Sequence, residues 1–309
     1  MKQITMSIKK YGFYFLGITG LLLLIEVSQL IQIYFTHVLN EIKVSAFLKE
    51  NLSGYLSFTF TVLPILLFEL FIPNDEESKD HKHGLLFWII SIQFNYLVSF
   101  LSIGIVNFFN ITPLLNLSFN SISPNSFINP IILNSLLLML SLLIFDFFYY
   151  WYHRTQHTVS FFWEFHKVHH SIKNLNSVVN YHHVLEELFR IPFIIIPLAI
   201  LIQIDAPRLA ILSSFYAAYG VFIHMNSKIS FGRLRFIFTD NYYHRIHHSI
   251  EKHHYNKNYA AFFPIWDILF NSVHFPKNNE FPKVGLDNME QPKNLKDYFF
   301  SPNPFKKSQ

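Results

Sequence analysis

Four apolar runs, residues 11–35, 55–72, 85–109 and 131–152, constrain the chain more than any other feature. Each is about long enough to cross a hydrocarbon core, which takes roughly 20 residues of helix. Lipid offers no partner to a free N–H or C=O, so such runs are confined to helix. A further pair, 188–204 and 209–225, is split by QIDAPR, and its members are short enough to be spans or the arms of a re-entrant hairpin. The expected fold class is therefore all-α: a polytopic integral membrane protein of about four spans plus a re-entrant or spanning pair. With 51% hydrophobic, 18% aromatic and only 14% charged residues, the composition points the same way. The run at 11–35 is too long for a signal-peptide core and no small-residue cleavage site follows it, so it reads as a retained span.

With the first ten residues in the cytosol and six crossings, all 24 Lys and Arg except Lys43, Lys49 and Arg208 fall on the cytosolic side. That asymmetry follows the positive-inside rule. The net charge of +4 is small and the basic residues form no stripe, which argues against a nucleic-acid partner. Cysteine is absent, so a metal would have to be held by nitrogen and oxygen.

Nitrogen is abundant. Of 17 histidines, thirteen lie between His153 and His254, all on the cytosolic side or its edge in this topology. Three clusters carry ligand spacing: His153 with His157, His166 with His169 and His170, and His244 with His247 and His248. Positions i, i+3 and i+4 share a helix face, so each cluster aims its imidazoles one way. His224 and either His182 or His183 stand between the clusters and could complete a shell. So many imidazoles exceed what one ion uses, and neutral imidazole suits iron, zinc, copper or nickel. The HExxH pattern of zinc proteases is missing, because Arg154 follows His153. His37, His81, His83 and His274 stand alone and read as interfacial or hydrogen-bonded, while His253 and His254 read as solvated.

In order and spacing, the segments DFFYYWYHRTQH, FWEFHKVHHS, FIHMN, NYYHRIHHS and NYAAFFPIWDILFNS resemble the fatty acid hydroxylase superfamily, the sterol desaturase-like membrane di-iron oxygenases. The likeness covers about residues 140 to 275. Within that superfamily, the H-x-N element and the closing NY…WD are similar to alkylglycerol monooxygenase. The resemblance implies a ligand set of His153, His157, His166, His169, His170, His183, His224, His244, His247 and His248, with His182 as the alternative to His183. Asp146, seven residues before His153, matches the acidic position ahead of the first box and is a candidate to orient a ligand from outside the coordination shell. Three positions depart from the pattern. Tyr181–Glu186 lacks an arginine and a proline, Asn241 replaces a proline before the third box, and Asn271 replaces the closing glycine.

The resemblance further implies two non-heme irons, dioxygen as co-substrate and a lipid substrate that is fatty acyl, sterol-like or an ether lipid. It implies hydroxylation or desaturation, with electrons from a separate protein of the cytochrome b5, ferredoxin or reductase type. The expected location is a bacterial inner membrane or an endoplasmic reticulum-like membrane, with the histidines in a cytosolic helical cap. The expected organisation is a membrane region without chemical motif over 1–110, a catalytic region over 111–275 and a polar tail over 276–309. A second class is a non-catalytic membrane metal-binding or transport protein. It predicts ionisable groups at mid-membrane depth in several spans, where only Glu26, Glu69 and Asp146 are candidates. A heme protein would need isolated histidines within spans. The aromatic residues Tyr149–Tyr152 and Phe161–Trp163 read as an interfacial belt or an acyl-channel lining.

Overall fold

A computed structural model describes residues 59, 62–69, 81–116, 130–203, 206–277 and 280–302. The chain divides into two compact units, Met1–Ile72 and Pro73–Gln309. In the first, residues 62–69 are helical. The run expected at 11–35, and most of that at 55–72, lie outside the described residues, as does His37.

The second unit is mostly helical. Helix α1, His81–Phe108, and helix α2, Pro130–Thr158, correspond to the runs at 85–109 and 131–152. Both are long and apolar enough to cross a membrane, and only 12% and 17% of their apolar windows are buried. Core helices of a soluble protein would hide that surface; here Phe100, Ile103, Ile132 and Leu136 are exposed. Helix α2 continues six residues past the apolar run, and that extension carries His153 and His157.

Helix α3, Ser160–His170, follows after a one-residue break and packs back on α2. Its apolar and histidine residues Phe165, His166, Val168, His169 and His170 are buried. The stretch expected at 188–204 is not one continuous span. It forms α4, Leu185–Arg190, then a π-helical turn, Ile191–Ile195, then α5, Ile196–Leu201. Pro192 and Pro197 each lack an N–H donor, and a widened turn absorbs the missing bonds.

The all-α expectation needs one correction: two-residue strands β1, Leu115–Asn116, and β2, Ile202–Gln203, pair in parallel, Leu115 with Ile202 and Asn116 with Gln203. Helix α6, Ala206–His224, matches the run at 209–225 and ends on His224. Helix α7, Asn241–His247, is capped by Asp240, whose side chain accepts from Tyr243 N. Helices α8, Ile265–Leu269, and α9, Leu295–Phe300, complete the unit.

Helix α1 docks on the loop before α4. Phe87 meets Tyr181 edge-on, and Trp88 Nε1 donates to Asn180 Oδ1 at 3.1 Å. Gly84 permits the approach, since a Cβ there would lie 2.6 Å from Val178 O. The tail is not merely polar. Tyr298 is fully buried, stacks on Phe87 with ring centroids 4.2 Å apart and donates to His182 O at 2.6 Å.

Candidate metal centre

Helices α2, α3, α6 and α7 carry histidines in or near their last turns, and the fold brings those ends together. Nine imidazoles form two groups: His153, His157, His166, His170 and His247 in one, His169, His224, His244 and His248 in the other. In each group the potential ligand atoms lie within 4.8 Å of one another. All but the half-buried His157 are buried. The groups touch: His170 stacks on His248 with ring centroids 4.3 Å apart.

The outer atoms of the rings fix which nitrogen carries the proton. His153 Nδ1 faces Tyr259 O at 2.7 Å, His169 Nδ1 faces Tyr181 O at 3.2 Å, His224 Nδ1 faces Gly220 O at 2.5 Å and His247 Nδ1 faces Lys257 O at 2.9 Å. His166 Nδ1 faces Glu186 Oε2 at 3.0 Å. Carbonyl and carboxylate oxygens only accept, so in each case Nδ1 donates. A neutral ring then presents a bare lone pair at Nε2.

Those lone pairs meet head-on. His153 Nε2 and His166 Nε2 are 3.1 Å apart in the first group, and His169 Nε2 and His224 Nε2 are 3.1 Å apart in the second. No proton is left to join them. Burial pushes His166 and His169 below the usual imidazole range, so a charged ring does not resolve the conflict. Burial likewise holds His247 down at about 3. The Nε2 atoms of His157, His170 and His247 are also buried without a hydrogen-bond partner. A cation in each group removes all of these conflicts, and neutral imidazoles with their outer N–H groups oriented by acceptors are an ordinary metal shell.

Glu186 gathers several side chains behind the rings. Its Oε2 accepts from Gln156 Nε2 at 2.5 Å, His166 Nδ1 at 3.0 Å and His182 Nδ1 at 3.1 Å, and its Oε1 from His183 N at 3.2 Å. Burial alone would raise its pKa, but the rings and hydrogen bonds of His166 and His182 hold it well below the usual carboxylate range. His183 joins neither of the two groups. Its ring packs near Phe165 and Tyr298, while its Nδ1 accepts from Leu185 N at 3.3 Å. His182 lies nearer, stacked on His169 with ring centroids 3.8 Å apart.

Asp146 acts at one remove from the histidines. Its carboxylate accepts from Phe262 N at 3.1 Å and Phe263 N at 2.8 Å. Asp267 takes Tyr259 N at 2.9 Å and Ala260 N at 2.7 Å. The two acids hold the 259–263 loop, and that loop presents the Tyr259 carbonyl to His153. Asn241 Nδ2 donates to Phe222 O at 2.6 Å, tying α7 to the turn of α6 just before His224. Asn271 has φ 56°, a left-handed conformation that glycine adopts freely and asparagine tolerates better than other residues. Its replacement of glycine therefore keeps the turn.

The aromatic belt divides. Tyr150 and Tyr152 are buried core residues, with Tyr150 Oη 2.8 Å from Ser272 Oγ and Tyr152 Oη donating to Glu186 O at 2.8 Å, whereas Trp151 and Phe161 are exposed. A cavity of about 570 Å³ opens onto His157, His170 and His247, with Trp163, Glu164 and Lys167 in its wall. The sequence reading missed Gln156, the four carbonyl acceptors and the organising role of Glu186. Of these, only Glu186, four residues from His182 and three from His183, left a signal in the spacing.

Residues 138–272 match the family model for fatty acid hydroxylase. The chain is 31% identical over 141 residues to the alkylglycerol monooxygenase of Homo sapiens, covering 46% of this chain and 31% of that protein. It is 32% identical over 127 residues to that of Danio rerio, and 30% identical over 146 residues to that of Caenorhabditis elegans. The chain spans less than a third of the length of these relatives. No solved structure matches it.

Proposed function

We propose that the protein is a membrane-bound lipid oxygenase of the fatty acid hydroxylase superfamily, whose family model residues 138–272 match, with two non-heme irons. One observation carries the reading: in each of two buried groups, two imidazole lone pairs face each other at 3.1 Å with their protons committed elsewhere. His153, His157, His166, His170 and His247 would hold one iron, and His169, His224, His244 and His248 the other. Bound there, the irons supply dioxygen activation and the oxidising power that an unactivated C–H bond demands.

The chain's own residues do the rest. Tyr259, Tyr181, Gly220 and Lys257 fix ring orientation through their carbonyls, and Glu186 fixes His166. An all-imidazole shell adds no negative charge, which leaves the ions electrophilic. The helix that carries His153 exposes Ile132, Leu136, Met139 and Leu140 further along its length, so an acyl chain can approach α2 from hydrocarbon. Tyr149 lies 5.4 Å from His153, and Tyr149 and Tyr216 are 5.5 Å apart, so aromatic rings keep that side dry. Likeness to alkylglycerol monooxygenase favours a lipid with a glycerol-linked chain. Electrons come from a separate donor protein. The two long apolar helices with exposed flanks support a membrane location, and the distribution of Lys and Arg along the chain supports histidines on its cytosolic side.

The test is comparative lipid analysis of cells with the intact gene, with His169→Ala and with His247→Ala, grown in oxygen. A hydroxylated, desaturated or cleaved lipid should depend on the intact gene and vanish in both variants while the protein stays in the membrane. Full activity in either variant would refute the ligand assignment.

A further inference from the structure

Outside the nine imidazoles a second constellation gathers, from three separate segments. His254 ends a 3-10 turn, Lys252–His254, after α7; His274 follows α8; Glu280 opens the tail. His254 Nε2 lies 3.1 Å from Glu280 Oε1, and His274 Nε2 lies 3.3 Å from Glu280 Oε2. The rings of His254 and His274 have centroids 4.7 Å apart at 74°. One potential ligand atom from each of the three residues lies within 4.8 Å of the others. His254, expected from sequence to be solvated, is only 1% exposed. His274, expected to stand alone, converges on the same carboxylate.

We propose that His254, His274 and Glu280 form a separate site for a divalent zinc-like ion, which clamps the tail to the loop after α7. The spacing fits. Bonds of ~2.0–2.1 Å in a tetrahedral shell separate neighbouring ligand atoms by about 3.3–3.4 Å, and each imidazole lies near that distance from one of the two Glu280 oxygens, His254 from Oε1 and His274 from Oε2. Two imidazoles and a carboxylate are a donor set that zinc accepts in a chain without cysteine. The outer shell is in place as well. His254 Nδ1 lies 2.9 Å from Ser249 Oγ, and Glu280 Oε2 accepts from Lys277 N at 2.7 Å. His253 and Glu251 flank the site, with His253 3.9 Å from His254 by ring centroids, and either His253 or water can take the fourth position.

The clamp sits where the tail begins to run beside the third histidine cluster. Ile250 N donates to Lys283 O at 3.1 Å and Gly285 N to His248 O at 3.2 Å, so a fixed Glu280 sets the register of that pairing. The competing account is a proton-only network in which both rings donate to Glu280.

The two accounts separate in purified full-length protein in detergent, by elemental analysis after zinc loading and removal of loosely held ion on a chelating resin. The comparison is wild type against Glu280→Gln and His274→Ala, both partly exposed positions that do not disturb the core. Wild type should retain about one more zinc per chain than either variant, with iron content the same in all three. Equal zinc in wild type and both variants would overturn the site in favour of the proton-only network. Iron is counted separately, so failure of the nine-imidazole assignment leaves the zinc difference readable.

Discussion

At the scale of residues, the candidate ligand atoms and the atoms that orient them differ in how visible they are in sequence. The eight box histidines and His224 stand out because i, i+3 and i+4 spacing is a property of side-chain identity. Their orienting partners are mostly carbonyls, which every residue carries, so no spacing could name Tyr259 or Lys257. Glu186 is the exception, a side chain that holds His166, His182 and Gln156 at once. Replacing it with glutamine removes the charge and one acceptor while keeping the size. Glu186→Gln should weaken iron retention about 10–100-fold, the usual cost of losing a carboxylate that orients a ligating histidine, measured by chelator competition on purified protein. Unchanged retention would show that His166 needs no anionic partner. The pairing of His254 with Glu280 was illegible for another reason: the residues are 26 positions apart and on loops, where no periodicity links them.

At the scale of elements, helix existence was readable and helix endings were not. The apolar runs at 85–109 and 131–152 predict α1 and α2, but α2 extends past the last apolar residue, where a hydrogen bond to Tyr259 O compensates the buried His153. The run at 188–204 breaks into α4, a π turn and α5 around two prolines, a division that hydropathy does not register. The docking of α1 rests on Gly84. Its neighbour across the contact is Val178, in a turn where Asn176 Oδ1 accepts from Val178 N and Val179 N, each at 2.8 Å. That turn sets Tyr181, whose carbonyl orients His169. Gly84→Ala forces a methyl against the Val178 backbone and should cost about 1–3 kcal/mol by overpacking, lowering the thermal midpoint of the detergent-solubilised protein. An unchanged midpoint would mean that α1 docks more loosely than the 2.6 Å approach implies.

At the scale of the whole molecule, nine clustered imidazoles, eight of them buried, make folding depend on protonation. Burial holds His247 down at about 3 against an ordinary value of 6.5, and it pushes His166, His169, His170, His244 and His248 down as well. Between 6.5 and about 3 the unfolded chain binds more protons than the folded one, so stability must fall as pH falls. Each such group contributes a slope of up to about 1.4 kcal/mol per pH unit. Metal-free protein should lose thermal stability steeply below pH 6.5, and iron should shift that loss to lower pH. A midpoint flat from pH 7 to 5 without metal would mean the rings are already charged or hydrated.

The central claim is that the two groups each hold an iron, and the most direct measurement is iron per chain in purified full-length protein. Wild type should contain about two irons, and His247→Ala and His224→Ala, which touch different groups, should each lose about one. A single iron in wild type, none, or equal occupancy in both variants and wild type would contradict the account.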